Sequence, residues 1–232
     1  MDIHGLQKLT LLDYPGRTAC TVFLAGCNLR CPFCHNSELL DRRAAEPVMT
    51  DGELLAYLKK RQGMLDGVCF TGGEPLMCPE LPELLREVKA LGYPVKLDTN
   101  GTIHEHLCYV VEEGLVDYVA MDIKNSRTRY AETCGLMGMD LSPVFDSIDL
   151  LLKSGKVDYE FRTTVVDELH DHDSFYDIAE MIRGAKRYFL QPFADRDTVA
   201  FAGLHAPSAE RLREYADIVR SAVDSVAIRG AD

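Results

Sequence analysis

Three cysteines crowd into one short stretch, Cys27, Cys31 and Cys34, in a C-x3-C-x2-C run. Thiolates spaced this closely can converge on one metal centre. A structural zinc site takes four ligands, and an iron–sulfur cube has four irons that each want one. The run supplies three, and His35, adjacent to Cys34, is badly placed to reach the same metal. A cube held by three thiolates keeps one iron open for something else. Two blander readings stand beside it: a zinc completed by the distant Cys69 or Cys78, and buried cysteines that bind nothing.

Four further groups carry chemistry. Gly72-Gly73-Glu74-Pro75 pairs two glycines, which let backbone approach a ligand closely, with a carboxylate suited to an ammonium group. The same tetrapeptide also suits an ordinary turn. Asp98, in Asp98-Thr99-Asn100-Gly101, and Asp122 should fall on neighbouring strand ends. There they either share a cation or raise one another's pKa, unless both are merely solvated or cap helices. Lys124 lies on the same side of a strand as Asp122, placed to balance it or to meet a ligand carboxylate or hydroxyl. Arg162 and Gln191 sit in the polar ends Arg162-Thr163-Thr164 and Leu190-Gln191-Pro192-Phe193.

The elements that must position these residues alternate along the chain. Strands are expected over Thr18–Leu24, Gly67–Thr71, Pro94–Thr99, Tyr118–Lys124, Tyr159–Val166 and Arg187–Pro192. Helices follow them from Thr50, where Thr50-x-x-Glu53 reads as a capping box, then over Glu80–Leu91, Ile103–Glu113, Val144–Lys153, Ser174–Arg183 and Pro207–Val223. Ser142-Pro143 reads as a cap and first helical residue, and Ser225–Ile228 as a short final strand. Six βα units over about 18–223 predict an α/β parallel sheet, either doubly wound or a partial barrel. The unusual residues follow all six strands rather than one switch point, which favours the rim of a partial (β/α)6 TIM-like barrel. One domain over 1–232 is expected, with the cysteine loop at 26–36.

Composition narrows the function classes. Lys plus Arg is 25 against 37 for Asp plus Glu, a net charge of −12, which argues against a nucleic-acid backbone or an anionic membrane as partner. That charge suits either solubility or an acidic docking face. The start, Met1-Asp2-Ile3-His4, lacks the pattern of a signal peptide. The apolar run at Thr21–Ala25 falls far short of the ~20 residues that span a bilayer. A cytoplasmic protein is expected, in which eight cysteines point to metal or catalysis rather than disulfides.

At these residues the chain resembles the radical S-adenosylmethionine enzymes. The C-x3-C-x2-C loop is similar to that superfamily's cluster motif, and Gly72-Gly73-Glu74 to its methionine-amino motif. Phe33-Cys34-His35-Asn36, Asp98-Thr99-Asn100-Gly101, Asp122-Ile123-Lys124 and Asp13-Tyr14-Pro15-Gly16 resemble one branch, the activating enzymes of glycyl-radical proteins. The run from Gly5 to Gly16 and Leu190-Gln191-Pro192-Phe193 look most like the longer activating proteins of anaerobic ribonucleoside-triphosphate reductases.

The resemblance implies that Cys27, Cys31 and Cys34 hold one [4Fe–4S] cluster whose open iron takes the amino and carboxylate groups of S-adenosylmethionine. Gly73 and Glu74 would meet the amino group, with Gly72 also among the cofactor-binding residues, and Phe33 and His35 the adenine side. Asp122, Lys124 and Arg162 would contact the methionine or ribose part, with Asp98, Thr99, Asn100 and Gln191 nearby. Gln191 stands where pyruvate formate-lyase activases have a histidine. Asp13 would meet the partner's glycine loop. The implied reaction is reductive cleavage to a 5′-deoxyadenosyl radical that takes hydrogen from that glycine. Cys20, Cys69, Cys78, Cys108 and Cys134 contain no C-x2-C pair, so a flavodoxin or ferredoxin-type donor is expected in place of built-in extra clusters. Two alternatives remain: a small-molecule enzyme resembling 7-carboxy-7-deazaguanine synthase, and a metal-binding carrier without catalysis.

Overall fold

The computed structural model describes residues 1–230. Strands β1 (Asp2–Ile3), β2 (Gly5–Thr10) and β3 (Ala19–Leu24) open the chain, and the cysteine loop follows β3. Next come β4 (Met49–Thr50) and α1 (Asp51–Lys60). The Thr50 capping box forms as expected: its hydroxyl accepts from Glu53 N at 3.3 Å, and the Glu53 carboxylate accepts from Thr50 N at 2.8 Å. The βα units continue through β5 (Gly67–Gly72), α2 (Leu81–Ala90), β6 (Val95–Thr99), α3 (His104–Glu112) and β7 (Tyr118–Asp122). After the short α4 (Tyr130–Thr133) come α5 (Ser142–Lys153), β8 (Asp158–Val165), α6 (His172–Met181), β9 (Tyr188–Pro192), α7 (Ala209–Arg220) and β10 (Val226–Ile228).

All six expected strands and helices are present, with small corrections at their ends. β7 stops at Asp122, so Lys124 lies just beyond the strand. Ser142 is already helical and does not cap α5; its hydroxyl donates to Asp140 Oδ1 at 2.8 Å. For α7 the cap is Ser208, which accepts from Arg211 N.

The main sheet runs β10-β9-β8-β7-β6-β5-β3-β2, parallel except for β2 against β3. Its order never reverses, so there is no switch point. Right-handed crossovers that all step one way put every covering helix on the same face. The sheet is thus a partial barrel, with β2 and β10 as unjoined edges. Strand alternation sorts the residues. The register row Val22, Phe70, Leu97, Val119 is fully buried and faces the helices. The row one residue back is different: Thr21, Cys69, Lys96 and Tyr118 line up on the inner face. This polar lining, filled by paired charges, is what leads up to the site.

Candidate functional site

The cysteine loop is fastened at both ends and in the middle. Gly26 N donates to Leu39 O and Glu74 N donates to Gly26 O, each at 2.8 Å. Arg30 N donates to Cys134 O at 2.9 Å. Asn28 ties the loop sideways, accepting from Asn100 Nδ2 at 3.1 Å and donating to Thr102 Oγ1 at 2.7 Å. The glycine pair has a packing role. A Cβ at Gly72, where φ is +119°, would sit 2.3 Å from Leu24 O, and one at Gly73 would sit 2.2 Å from Gly26 O. The close approach is therefore to the root of the cysteine loop. Gly135 does the same from below, since a Cβ there would meet Arg30 O at 2.2 Å.

The loop and the strand ends enclose one cavity of about 270 Å³. Cys27, Cys31 and Cys34 line it together, with Phe33, His35, Gly72 and Gly73. Asp98 and Thr99 face it from β6 with Asn100 just after it, Asp122 from the end of β7 with Lys124 just beyond, Arg162 from β8 and Gln191 from β9. Fourteen of the sixteen expected residues thus converge. Glu74 and Asp13 do not. Glu74 is 1% exposed, and its carboxylate accepts from Thr99 Oγ1 (2.9 Å), Leu76 N (3.1 Å) and Asn100 N (2.6 Å). It holds the Thr99–Asn100 turn from beneath instead of entering the cavity, and burial pushes its pKa up to about 7 against those three donors. Asp13 accepts from Thr21 Oγ1 at 2.5 Å, on β3.

A row of alternating charge forms the cavity's far wall. Arg162 Nε donates to Asp122 Oδ1 at 2.5 Å, and Arg162 Nη2 lies 3.2 Å from Asp98 Oδ2. Lys124 Nζ donates to Asp122 Oδ2 at 2.8 Å. Asp98 and Asp122 therefore share a cation, the Arg162 guanidinium. Burial alone would raise both carboxyls; Arg162, joined by Lys124 at Asp122 and by Lys96 at Asp98, holds them below the usual range. His35 Nε2 donates to Ala194 O at 2.7 Å, and its ring stacks on Phe193 at 5.6 Å.

The thiols differ among themselves. Burial pushes Cys27 up to about 11 and raises Cys34 as well. Cys31 goes down, because the neighbouring Cys134 thiol and the Lys124 ammonium favour its thiolate. No cysteine among the described residues is in a disulfide. Nor are any three His, Cys, Asp or Glu side chains among them gathered to hold a single metal ion. A zinc with four bonds of about 2.3 Å needs such a gathering, whereas a four-iron cluster takes each thiolate on a different iron. The donor set fits the cluster, and the zinc completed by Cys69 or Cys78 does not form. Cys69 lies on the barrel's inner face, donating to Asp98 Oδ1 at 3.8 Å, and Cys78 bonds Glu80 at 3.1 Å.

Sequence reasoning missed several contributors. Lys96 is buried beneath Asp98 and hydrogen-bonded to it. His170 is buried too, with Nε2 donating to Lys124 O at 2.9 Å, so it fixes the backbone that carries that lysine. Deeper in the barrel, Glu160 is fully buried and takes both Arg229 Nη1 (2.6 Å) and Nη2 (2.8 Å), plus the Tyr118 hydroxyl at 2.7 Å. Only the two-residue spacing of Lys96 and Asp98 was a signal available in advance.

Comparison with known proteins bears on the same residues. The family model described as the radical SAM superfamily matches residues 21–182. A protein of Methanocaldococcus jannaschii, named provisionally as a glycyl-radical enzyme activating enzyme, is 32% identical over 98% of this chain and 95% of its own length. The pyruvate formate-lyase-activating enzyme of Clostridium pasteurianum is 35% identical over 53% of this chain and 52% of its own length. The 7-carboxy-7-deazaguanine synthase of Thermococcus kodakarensis is 26% identical over 76% of this chain and 75% of its own. Among solved structures, SuiB of Streptococcus suis bound to precursor peptide SuiA superposes with a TM-score of 0.68 at 16% identity, covering 90% of this chain and 48% of that one. That likeness concerns the fold. Among the described residues, no helix is long and apolar enough to cross a membrane.

Proposed function

This chain belongs to the radical SAM superfamily, and from that premise we propose that it is an activating enzyme for a glycyl-radical protein. Enzymes of the superfamily use a [4Fe–4S] cluster and S-adenosylmethionine, which together supply the means to take a hydrogen atom from an unreactive C–H bond. The protein's task is to hold these groups, exclude water and position the target hydrogen.

The residues are assigned as follows. Cys27, Cys31 and Cys34 hold the cluster; the loop that carries them is fixed by Asn28, Asn100 and the Gly72-Gly73 contact. Arg162 and Lys124 face the cavity, each with N–H donors beyond those given to Asp98 and Asp122, and receive the cofactor's carboxylate. Phe33 and the His35–Phe193 stack form the adenine side. Gly73 and Asn100 offer backbone and amide groups to the amino end, with Thr99 and Gln191 along the wall. Glu74 acts by holding the Thr99–Asn100 turn. Asp13, between the exposed Leu12 and the barrel's inner face, meets the glycine segment of the partner. We assign that partner to the anaerobic ribonucleotide reductases, with a flavodoxin or ferredoxin-type donor in a reducing cytoplasm.

The observation that carries this reading is the match along nearly its whole length to a relative named for glycyl-radical activation. Its test is to incubate the reduced, reconstituted protein with S-adenosylmethionine and an anaerobic ribonucleotide reductase. A glycine-centred radical in the partner by electron spin resonance is expected; none would refute it. The likeness to 7-carboxy-7-deazaguanine synthase favours a second reading. Turnover of a free small substrate with no protein partner would establish that one instead.

A further inference from the structure

Lys96 is a buried ammonium group for which the roles assigned above have no use. It lies on β6, is 2% exposed, and does not line the cavity, so it cannot touch a ligand there. Its Nζ donates to Asp98 Oδ1 and lies 3.8 Å from Cys69 Sγ. Asp98 Oδ2 faces Arg162 Nη2 at 3.2 Å. From Lys96 through Asp98, Arg162 and Asp122 to Lys124 the charges alternate, beginning and ending on a cation.

That order has an electrostatic consequence. Without Lys96 the row holds two carboxylates and two cations and is neutral. With it, the row carries one surplus positive charge. Two other buried carboxylates lie nearby: Glu160 is matched by Arg229, and Glu74 is held by Thr99 Oγ1 and the backbone N–H groups of Leu76 and Asn100, so neither pairs with a cation of the row. A buried carboxylate left short of a cation either takes a proton or pulls on the cations it has. Asp98 in that state would draw Arg162 down and away from the cavity.

We infer that Lys96 is a positioning residue for S-adenosylmethionine: as a built-in counter-ion for Asp98, it leaves Arg162 and Lys124 free to receive the cofactor's carboxylate. The inference rests on the assignment of this cavity to S-adenosylmethionine. Lys96 thereby makes the pocket independent of any free monovalent cation.

The test is the salt dependence of binding. S-Adenosylmethionine binding to the reconstituted wild-type protein should be unchanged when potassium is replaced by tetramethylammonium at constant ionic strength. Lys96→Met should weaken binding by about tenfold or more. Ammonium ion, small enough to enter the space left by the lysine head, should restore most of the loss, and tetramethylammonium should not. Thermal melting of the cluster-free protein gives an independent readout: ammonium should raise the midpoint of Lys96→Met but not of wild type. The double variant Lys96→Met/Asp98→Asn has no charge to balance and should be indifferent to ammonium. A wild-type protein that needs potassium would overturn the inference, even if Lys96→Met failed to fold. So would Lys96→Met binding as tightly as wild type, or a loss that ammonium does not recover. Wild-type protein that binds no S-adenosylmethionine in any salt would instead overturn the assignment of the cavity.

Discussion

Gly73→Ala isolates the join between the cysteine loop and the sheet. Gly73 is outside the left-handed region, so its backbone suits alanine and the cost is purely steric. The new Cβ would stand 2.2 Å from Gly26 O, 2.7 Å from Gly26 C and 3.3 Å from Cys27 Cβ. Two of these neighbours are backbone and cannot rotate away, so the segments that follow β3 and β5 must part by about 1 Å. That movement stretches Gly73 N to Leu24 O and Glu74 N to Gly26 O, both 2.8 Å. Two weakened bonds at about 1 kcal/mol each, with about 1–3 kcal/mol for overpacking, make a loss of about 3–5 kcal/mol. For a chain of this size that lowers the melting temperature by about 10 °C. Because Cys27 moves with Gly26, iron uptake on reconstitution should fall as well. Gly63→Ala is the control: at φ +77° with nothing within 4 Å, it incurs backbone strain alone. A Gly73→Ala protein that melts within about 2 °C of wild type and takes up the same iron would refute the reasoning.

Glu74 gives a pH signature. Its folded pKa, about 7, lies above the ordinary 4.5, so the native state holds a proton that the unfolded state releases. Stability should therefore fall as pH rises from 4.5 to 7, by about 3 kcal/mol, and stay low above that. Urea midpoints at pH 5 and pH 8 should show this fall in wild type but not in Glu74→Gln; equal slopes would refute it. Arg229→Ala leaves Glu160 buried without its cation and should destabilise by about 3–5 kcal/mol, with Glu160→Gln in the same chain recovering part of the loss. Chemical denaturation decides, and near-wild-type stability would contradict the pairing. Cys31→Ala should abolish cluster assembly while circular dichroism keeps its helical signal, whereas Cys108→Ala, outside the cavity, should assemble a normal cluster.

The six βα units were legible because each strand is a β-branched or aromatic run closed by a polar end, and each helix carries an apolar stripe. β2 was not: Gly5–Thr10 has polar residues at its centre and pairs along one side only, so no pattern marks it. Two-residue β1 and β4 are too short to carry a pattern at all. In the site, the three cysteines stand out because their spacing is local. Arg162 and Asp122 become neighbours only through the β7–β8 register, and Lys96 reads in sequence as an ordinary alternating polar residue of a strand. Glu74 differs for the opposite reason. An acid after two glycines in a turn looks like a ligand group, yet the turn folds it beneath Thr99 and Asn100, where backbone donors claim it.

The most direct test is spin resonance of the anaerobically reconstituted, reduced protein before and after S-adenosylmethionine is added. About four irons and four sulfides per chain are expected, with a reduced-cluster signal that changes shape as the cofactor binds the open iron. Stoichiometric zinc in their place, or a cluster signal indifferent to S-adenosylmethionine, would contradict a three-thiolate centre with a free coordination position.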